Sequence, residues 1–238
     1  LLINLLILFF ISCSSNPPGM LMVSEGEFVL GINPDNKTIQ FMSNATLSLN
    51  AQPSQKIYLK SFYIDQYEVT YSAFSRFKKK FKYDVINTKE PIRGVSWYEA
   101  DAYCLYQGKR LPTEFEWEKS ARGSDERMFV WGDRFSQENA NFGKQVLSVG
   151  SVPKDTSIYG IGDLNGNVSE WTANWYKSYK NSKFEDKLYG KKVKVIRGGS
   201  FQKMKHGTMK EFAILTYRNF APPQDRFWDT GFRCAKSI

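Results

Sequence analysis

The stretch Gly94-Val-Ser-Trp-Tyr-Glu-Ala-Asp-Ala-Tyr-Cys104 carries the clearest folding signal in this chain. Ser96 and Glu99 form a capping box, because the side chain of each residue can accept a hydrogen bond from the backbone N–H of the other. The box predicts a helix that starts here, and Gly108 is expected to end it. The side chains predicted to face the core are Trp97, Ala100 and Cys104.

The chain continues with Lys109-Arg-Leu-Pro-Thr-Glu-Phe-Glu-Trp-Glu118, where Thr113 and Glu116 form a second capping box. Another helix is expected after Thr70, which can cap it. The segments from Phe28 to Gly31 and from Lys56 to Asp65 mix apolar and polar residues in short runs and predict strands. Glycine-rich turns between short patterned segments argue against an all-helical protein, so an α+β domain is expected.

Six further blocks of distinctive composition occur along the chain. They are Met22-Val-Ser-Glu-Gly-Glu-Phe28, Phe62-Tyr-Ile-Asp-Gln-Tyr-Glu-Val-Thr70, Trp131-Gly-Asp133, Gly166-Asn-Val-Ser-Glu-Trp171, Arg197-Gly-Gly-Ser-Phe201 and Gly231-Phe-Arg-Cys234. Together with the two stretches above, they resemble the signature of the formylglycine-generating enzyme family, also called the sulfatase-modifying-factor domain. The resemblance implies an α+β, C-type-lectin-like fold, irregular and loop-rich, in a single domain over residues 21–238.

The resemblance breaks at the catalytic chemistry. Catalytic members of the family carry two copper-binding cysteines shortly after the Arg-Gly-Gly-Ser turn. Counted forward from that turn, the two positions fall on Lys203 and Thr208. Counted back from the Gly-Phe-Arg block, they fall on Lys205 and Lys210. Copper(I) prefers soft sulfur ligands, which a lysine ammonium cannot replace, so copper is not expected as a cofactor.

One weaker copper hypothesis concerns Met204, His206 and Met209, which lie in the same segment. Thioether and imidazole groups both bind soft copper. Such a site would have no thiolate to form a mixed disulfide with a substrate cysteine, so it would not restore the family reaction. The alternative is that His206 is a solvated side chain in a lysine-rich loop.

The N-terminal segment predicts the cellular compartment. Leu1 to Ile11 is almost wholly apolar and is too short to span a bilayer as a helix, which needs about 20 residues. Its pattern is typical of a secretory signal followed by a bacterial lipobox. Residues 1–12 are therefore predicted to be a signal peptide, and residues 13–20 a lipidated Cys13 with its tether. The expected location is the bacterial cell envelope, facing the periplasm or the exterior; an ordinary cleaved secretory signal is the alternative.

Without Cys13, the chain retains Cys104 and Cys234, an even pair in an oxidising compartment. The resemblance implies that these two form a structural disulfide. A second disulfide of the family is missing, because Ala121 and Leu215 occupy its positions.

The segment Asp163-Leu-Asn-Gly-Asn-Val-Ser-Glu170 resembles a calcium-binding segment of the family. Asp163 and Glu170 would provide carboxylates, and Gly166 and Val168 would provide backbone carbonyls, a ligand set that suits calcium. Such a calcium ion would be structural. The alternative is that the carboxylates cap turns.

In relatives, the segment from Gln202 to Thr230 lines the active face. The glycines before it could permit close backbone approach to a bound peptide, because they carry no Cβ. The residues predicted to form a binding face are Arg197, Ser200, Phe201, Arg218 and Trp228.

The net charge of +9 is compatible with an anionic partner. No nucleic-acid motif accompanies it, so a solvated lysine-rich face is expected and no nucleic acid is predicted as a partner. The favoured function is a lipid-anchored binding or scaffold module for a protein, peptide or glycan. The alternatives are a formylglycine-generating or other oxidase of the family, and a calcium-dependent glycan binder.

Overall fold

The computed structural model describes residues 16–33, 45–79, 87–143, 145–190, 192–201 and 210–238. The predicted signal peptide, Cys13, the three residues of the weaker copper hypothesis and the copper positions Lys203, Lys205 and Thr208 lie outside the described residues. Lys210 opens a short 3₁₀ helix, Lys210–Ala213.

Three α-helices and nine strands make up most of the described regular structure. The helices are α1 (Tyr71–Phe77), α2 (Trp97–Tyr106) and α3 (Glu114–Arg122), with 3₁₀ helices at Ala45–Ala51 and Lys210–Ala213. The strands are β1 (Met20–Val23), β2 (Gly26–Leu30), β3 (Gln55–Leu59), β4 (Phe62–Asp65), β5 (Ser169–Trp175), β6 (Lys194–Arg197), β7 (Asn219–Ala221), β8 (Thr230–Gly231) and β9 (Ala235–Ser237).

The three helices begin where their caps predict. The Thr70 hydroxyl accepts the N–H of Ala73 at 3.2 Å. Both capping boxes are complete, one between Ser96 and Glu99 and one between Thr113 and Glu116. Each box satisfies backbone donors that the first helical turn leaves without a partner, so these starts are fixed locally.

The strands form three small sheets in the orders β1-β4-β9, β2-β3 and β7-β6-β5-β8. Only the β5–β8 pair is parallel among the described strands. The run from Lys56 to Asp65 forms extended structure as predicted, divided into β3 and β4, which belong to different sheets. The partner strands β1 and β2 are interrupted at the matching position, and there the Glu25 N–H donates to the Ser61 hydroxyl at 2.8 Å.

The disulfide between Cys104 and Cys234 is confirmed, with 5.6 Å between the two Cα atoms. It joins α2 to the residue before β9, inside an apolar cluster that also contains Phe74, Tyr103 and Phe232. Ala121 and Leu215 lie together in a second apolar cluster around Trp117. No helix within the described ranges is both long and apolar enough to cross a bilayer.

Candidate functional site

Two arginines of the predicted binding face are buried inside the fold. Arg197 is 0% exposed and its Nη2 lies 2.6 Å from a Glu118 carboxylate oxygen. Arg218 is 1% exposed and donates to both carboxylate oxygens of Glu114, at 2.7 and 2.9 Å. The prediction that Arg197 and Arg218 present their side chains to a ligand is therefore wrong. Glu114 and Glu118 lie one turn apart on α3, and this pairing holds the helix against β6, which contains Arg197, and against Arg218, the residue before β7.

Phe201 is also buried, so the predicted face loses a third member. Ser200 is partly exposed and donates to Asp229 at 2.8 Å. Trp228 is exposed, and the Arg93 guanidinium lies 5.2 Å from its ring centroid. Of the five predicted residues, Ser200 and Trp228 are the ones whose side chains reach solvent.

The glycines of the Arg-Gly-Gly-Ser turn have an internal explanation. A Cβ on Gly199 would lie 2.5 Å from the carbonyl oxygen of Asn165, and one on Gly198 would lie 3.1 Å from that of Leu164. Gly198 also has φ +79°, which favours glycine. The missing Cβ atoms thus let the turn pack against the loop that precedes β5, and close approach of a peptide is not needed to explain them.

A second group of buried charges lies beside that loop: an acidic cluster formed by Glu68, Asp155, Asp163 and Glu170, of which Asp163 belongs to the loop itself. All four residues are at least 97% buried. Arg233, which is fully buried, donates to the two carboxylate oxygens of Glu170 at 2.7 Å each. Asp155 accepts the backbone N–H groups of Asn165 and Gly166.

Burial of these carboxylates shifts their protonation. Burial, followed by the charge of Asp163, raises the pKa of Asp155 to about 8. Burial likewise raises the pKa of Asp163. The pKa of Glu68 lies well above its usual value, again through burial first and then the charge of Asp163. The Arg233 guanidinium opposes all three shifts.

Glu170, one of the four residues predicted to bind calcium, has both carboxylate oxygens occupied in this arrangement. Both oxygens of Glu170 are held by Arg233, and one also accepts the indole N–H of Trp117 at 3.0 Å. A calcium ion bound by Glu170 would lie against the guanidinium and be repelled by it. Among the residues that the structure describes, no group of three or more His, Cys, Asp or Glu side chains is placed to hold a metal ion.

The Asp155 carboxyl group gives a measurable pH dependence. Its pKa is raised above the unfolded value, so folding takes up a proton; the associated stability is fully present below pH 3.8 and is lost as the pH rises towards 8. Asp155→Asn keeps an oxygen that accepts the two N–H groups but cannot ionise. The variant should therefore match the wild type near pH 4 and exceed its stability at pH 8. The wild-type curve should be steeper by up to about 1.4 kcal/mol per pH unit.

Urea unfolding between pH 4 and 8 in the presence of a chelator measures this difference. Glu185→Gln, at an exposed position, is the control and should leave the slope unchanged. Parallel pH curves for the wild type and Asp155→Asn would contradict the raised pKa.

The family follows from a match over the length of the domain. A model of the Sulfatase-modifying factor enzyme 1-like domain matches residues 9–238. The chain belongs to this family. The sulfatase-modifying-factor fold extends to solved structures: PvdO from Pseudomonas aeruginosa superposes with a TM-score of 0.74 at 23% identity, covering 92% of this chain and 94% of that one. The predicted α+β, C-type-lectin-like, loop-rich fold is confirmed.

Curated members of the family include both active and inactive proteins. The mouse protein named inactive C-alpha-formylglycine-generating enzyme 2 is 34% identical over 161 residues, covering 62% of this chain and 49% of its own length. The mouse formylglycine-generating enzyme is 33% identical over 167 residues, covering 62% and 44%. This chain spans about half the length of these relatives, and near-equal identity to both does not decide its activity.

Reasoning from the sequence does not reveal which carboxylates pair with Arg197 and Arg218, nor that the acidic cluster is buried around Arg233. Glu68 lies in the block from Phe62 to Thr70, and Glu114 and Glu118 lie in the block from Lys109 to Glu118, where their neighbours signal the start of a helix. Asp155 lies in no block. One sequence signal for such pairs is the number of charged residues inside the family blocks. A carboxylate that lies between core residues is rarely buried without a partner of opposite charge.

Proposed function

We propose that this chain is a non-catalytic member of the sulfatase-modifying-factor family, anchored to a bacterial membrane through Cys13 and acting outside the cytoplasm as a binding or scaffold module. The observation that carries the proposal is the number of available thiols. The chain has three cysteines. Cys104 and Cys234 are bonded to each other and buried, which leaves Cys13 in the leader segment and no free thiol in the domain.

The chemistry of the family makes this number decisive. The resemblance implies that catalytic members bind copper(I) through two thiolates and engage the substrate cysteine there. Both possible registers place lysine or threonine at those positions, and an ammonium or hydroxyl group does not replace a soft sulfur ligand. The inactive relative in mouse supports the proposal, since loss of activity is then known elsewhere in the family.

The compartment is supported by two independent features of the chain. The apolar leader followed by Ser12-Cys13 is typical of a lipoprotein signal. The Cys104–Cys234 disulfide is of the kind that persists in oxidising compartments outside the cytoplasm. Mass analysis of the N-terminus after expression in a bacterium tests the anchor: a diacylglycerol-modified Cys13 is expected, and a mature chain that begins at another residue would refute it.

The activity test uses the full chain in detergent with copper, oxygen and a Cys-x-Pro-x-Arg peptide, followed by mass spectrometry of the peptide. We expect the peptide cysteine to remain unmodified while an active family enzyme converts it in parallel. Formylglycine in the peptide would overturn the proposal in favour of an oxidase.

Two cysteine-restored variants sharpen the result. Lys203→Cys with Thr208→Cys restores the thiol pair in one register, and Lys205→Cys with Lys210→Cys restores it in the other. Tight copper(I) binding by one pair and not by the wild type would identify the lost site. Equal copper(I) binding by the wild type and both variants would contradict the proposal that the missing cysteine pair removes copper binding.

A further inference from the structure

The outward side of α2 is apolar along its whole length. Tyr98, Leu105 and Tyr106 are 55%, 61% and 67% exposed, and the exposed Ala102 lies between them. Their spacing of four, three and one residues places them on one stripe of the helix. Three of the eight large hydrophobic side chains that the described residues expose thus lie on a single ten-residue helix. We call this stripe of four residues the α2 face.

The α2 face is not the side of the helix that packs on the core. The opposite side of the helix, with Ala100, Tyr103 and Cys104, is the one buried against the core. A contiguous exposed apolar patch bordered by polar groups usually marks an interaction site.

The border of the α2 face carries more basic than acidic side chains. Helix α1 lies alongside α2, with the rings of Phe77 and Tyr106 5.1 Å apart between centroids. The acidic Glu99 on this border is paired both with Lys78, at 2.6 Å, and with Arg226. Lys78 and Arg226 lie on the border through these pairs, and Arg76 and Lys79 are exposed next to Lys78 at the end of α1. We call these four cations the basic rim; Asp101, which is partly exposed, borders the other side of the α2 face.

The leader segment joins the domain close to the C-terminal end of α2. The carbonyl of Gly19 accepts the Gln66 N–H at 3.0 Å, and the neighbouring Asp65 pairs with Lys109 at 2.6 Å. Lys109 lies three residues beyond the end of α2. Five residues separate Cys13 from Gly19, and the six Cα–Cα steps between them reach at most about 20 Å, so a lipid on Cys13 would hold this end of the helix near the bilayer.

We propose that the α2 face rests on the anionic phospholipid surface of the membrane that anchors the chain. The anchor itself belongs to the proposed function above, whereas the face is inferred from α2 and its basic rim. Tyrosine and leucine side chains enter the region between headgroups and acyl chains, while lysine and arginine attract anionic headgroups.

A bilayer suits this face better than a protein does. The helix is about 15 Å long, so its stripe covers a small fraction of the roughly 800 Å² that each partner contributes to a stable protein interface. A symmetric dimer through the α2 face would also oppose two copies of the basic rim, because a two-fold interface pairs each patch with itself. Partial insertion of a few side chains needs no such area, particularly when an anchor keeps the surface nearby.

The test places an environment-sensitive fluorophore on the α2 face of the lipidated full chain. With Cys13 modified and Cys104 bonded to Cys234, Ala102→Cys introduces the one free thiol. Tyr58→Cys, at a residue 56% exposed on β3, is the control. On vesicles containing phosphatidylglycerol, the label at position 102 should shift to the blue and be quenched by brominated lipid. The label at position 58 should stay as in water, and neither should respond to pure phosphatidylcholine.

Removing charge from the basic rim should weaken this docking without unfolding the protein. Arg76→Gln with Lys79→Gln removes two exposed cations, each worth about fivefold near an anionic surface, so the ratio of docked to free molecules should fall about 30-fold. Leu105→Ser should lower the same ratio, and the melting temperature of each variant should stay within a few degrees of the wild type.

Three results would overturn the proposal. The first is a label at position 102 that behaves like the one at position 58 on anionic vesicles. The second is energy transfer between labelled copies that rises with protein density and is equal on both lipids, which would indicate a dimer. The third is a shift produced by a soluble acidic protein and not by vesicles. N-terminal mass analysis distinguishes these results from failure of the anchor. A chain that is lipidated but whose label at position 102 does not shift contradicts only the docking of the α2 face on lipid.

Discussion

Replacing Cys104 and Cys234 together by alanine should lower the free energy of unfolding by about 5 kcal/mol, because the disulfide closes a loop of 130 residues. An open loop of that length gives the unfolded chain many more conformations, and the folded state loses stability by the same amount. For a domain of this size the loss is a large part of the total stability. Urea unfolding of the variant against the wild type measures it through the midpoint and the slope.

Deleting two buried sulfur atoms also changes packing, so the cross-link needs a separate measurement. Wild-type protein unfolded with and without reductant provides it, since the reduced chain keeps both sulfur atoms and loses only the bond. We expect reduction to account for most of the loss seen in Cys104→Ala with Cys234→Ala. A loss below about 1 kcal/mol on reduction would mean that the unfolded chain is already compact or that the bond strains the fold.

The helix starts could be predicted from the sequence because their causes are local. A capping box needs two residues three positions apart, and the structure shows both boxes complete. The disulfide could be expected only through the resemblance to the family, because pairing of cysteines 130 residues apart leaves no local signal.

The buried charges could not be predicted in this way. Arg197 and Arg218 resemble exposed binding residues in the sequence, and their carboxylate partners lie 79 to 104 residues away. Glu170 resembles a calcium ligand until the fold brings Arg233 to both of its oxygens across 63 residues. A charged residue inside a family block is equally compatible with a site and with a buried ion pair, and only tertiary contacts distinguish the two.

The exposure of apolar residues on the outward side of α2 could not be predicted from the sequence either. Aromatic residues in a helix usually face the core, and the sequence predicted only which residues face inward. Trp97 was among these and is partly exposed, with its ring 3.7 Å from the Lys194 ammonium. Tyr98 and Tyr106 are more exposed still, and this became visible only when the positions of α1 and the core were known.

Arg233→Met should cost about 3–5 kcal/mol of stability, because it leaves the Glu170 carboxylate buried without its cation. The loss should also depend on pH. The guanidinium holds down the pKa values of Glu68, Asp155 and Asp163, so these rise further in the variant. A carboxyl group whose folded pKa lies above its unfolded value stabilises the fold when protonated, and this contribution is lost as the pH rises. The variant should therefore be least destabilised near pH 5 and most destabilised near pH 8.

Arg122→Met is the matched control for this pH dependence. Arg122 is equally buried in practice and pairs with Glu118 at 2.8 Å, but Glu118 keeps a second cation in Arg197 and lies outside the acidic cluster. Its loss of stability should be nearly the same at pH 5 and pH 8. Adding Glu170→Gln to Arg233→Met removes the unpaired charge and should recover part of the loss, as a double-mutant cycle would show. Equal pH curves for Arg233→Met and Arg122→Met would mean that Arg233 stabilises the fold through its hydrogen bonds to the backbone carbonyls of Gln66 and Gly162. The pKa values of the acidic cluster would then not depend on its charge.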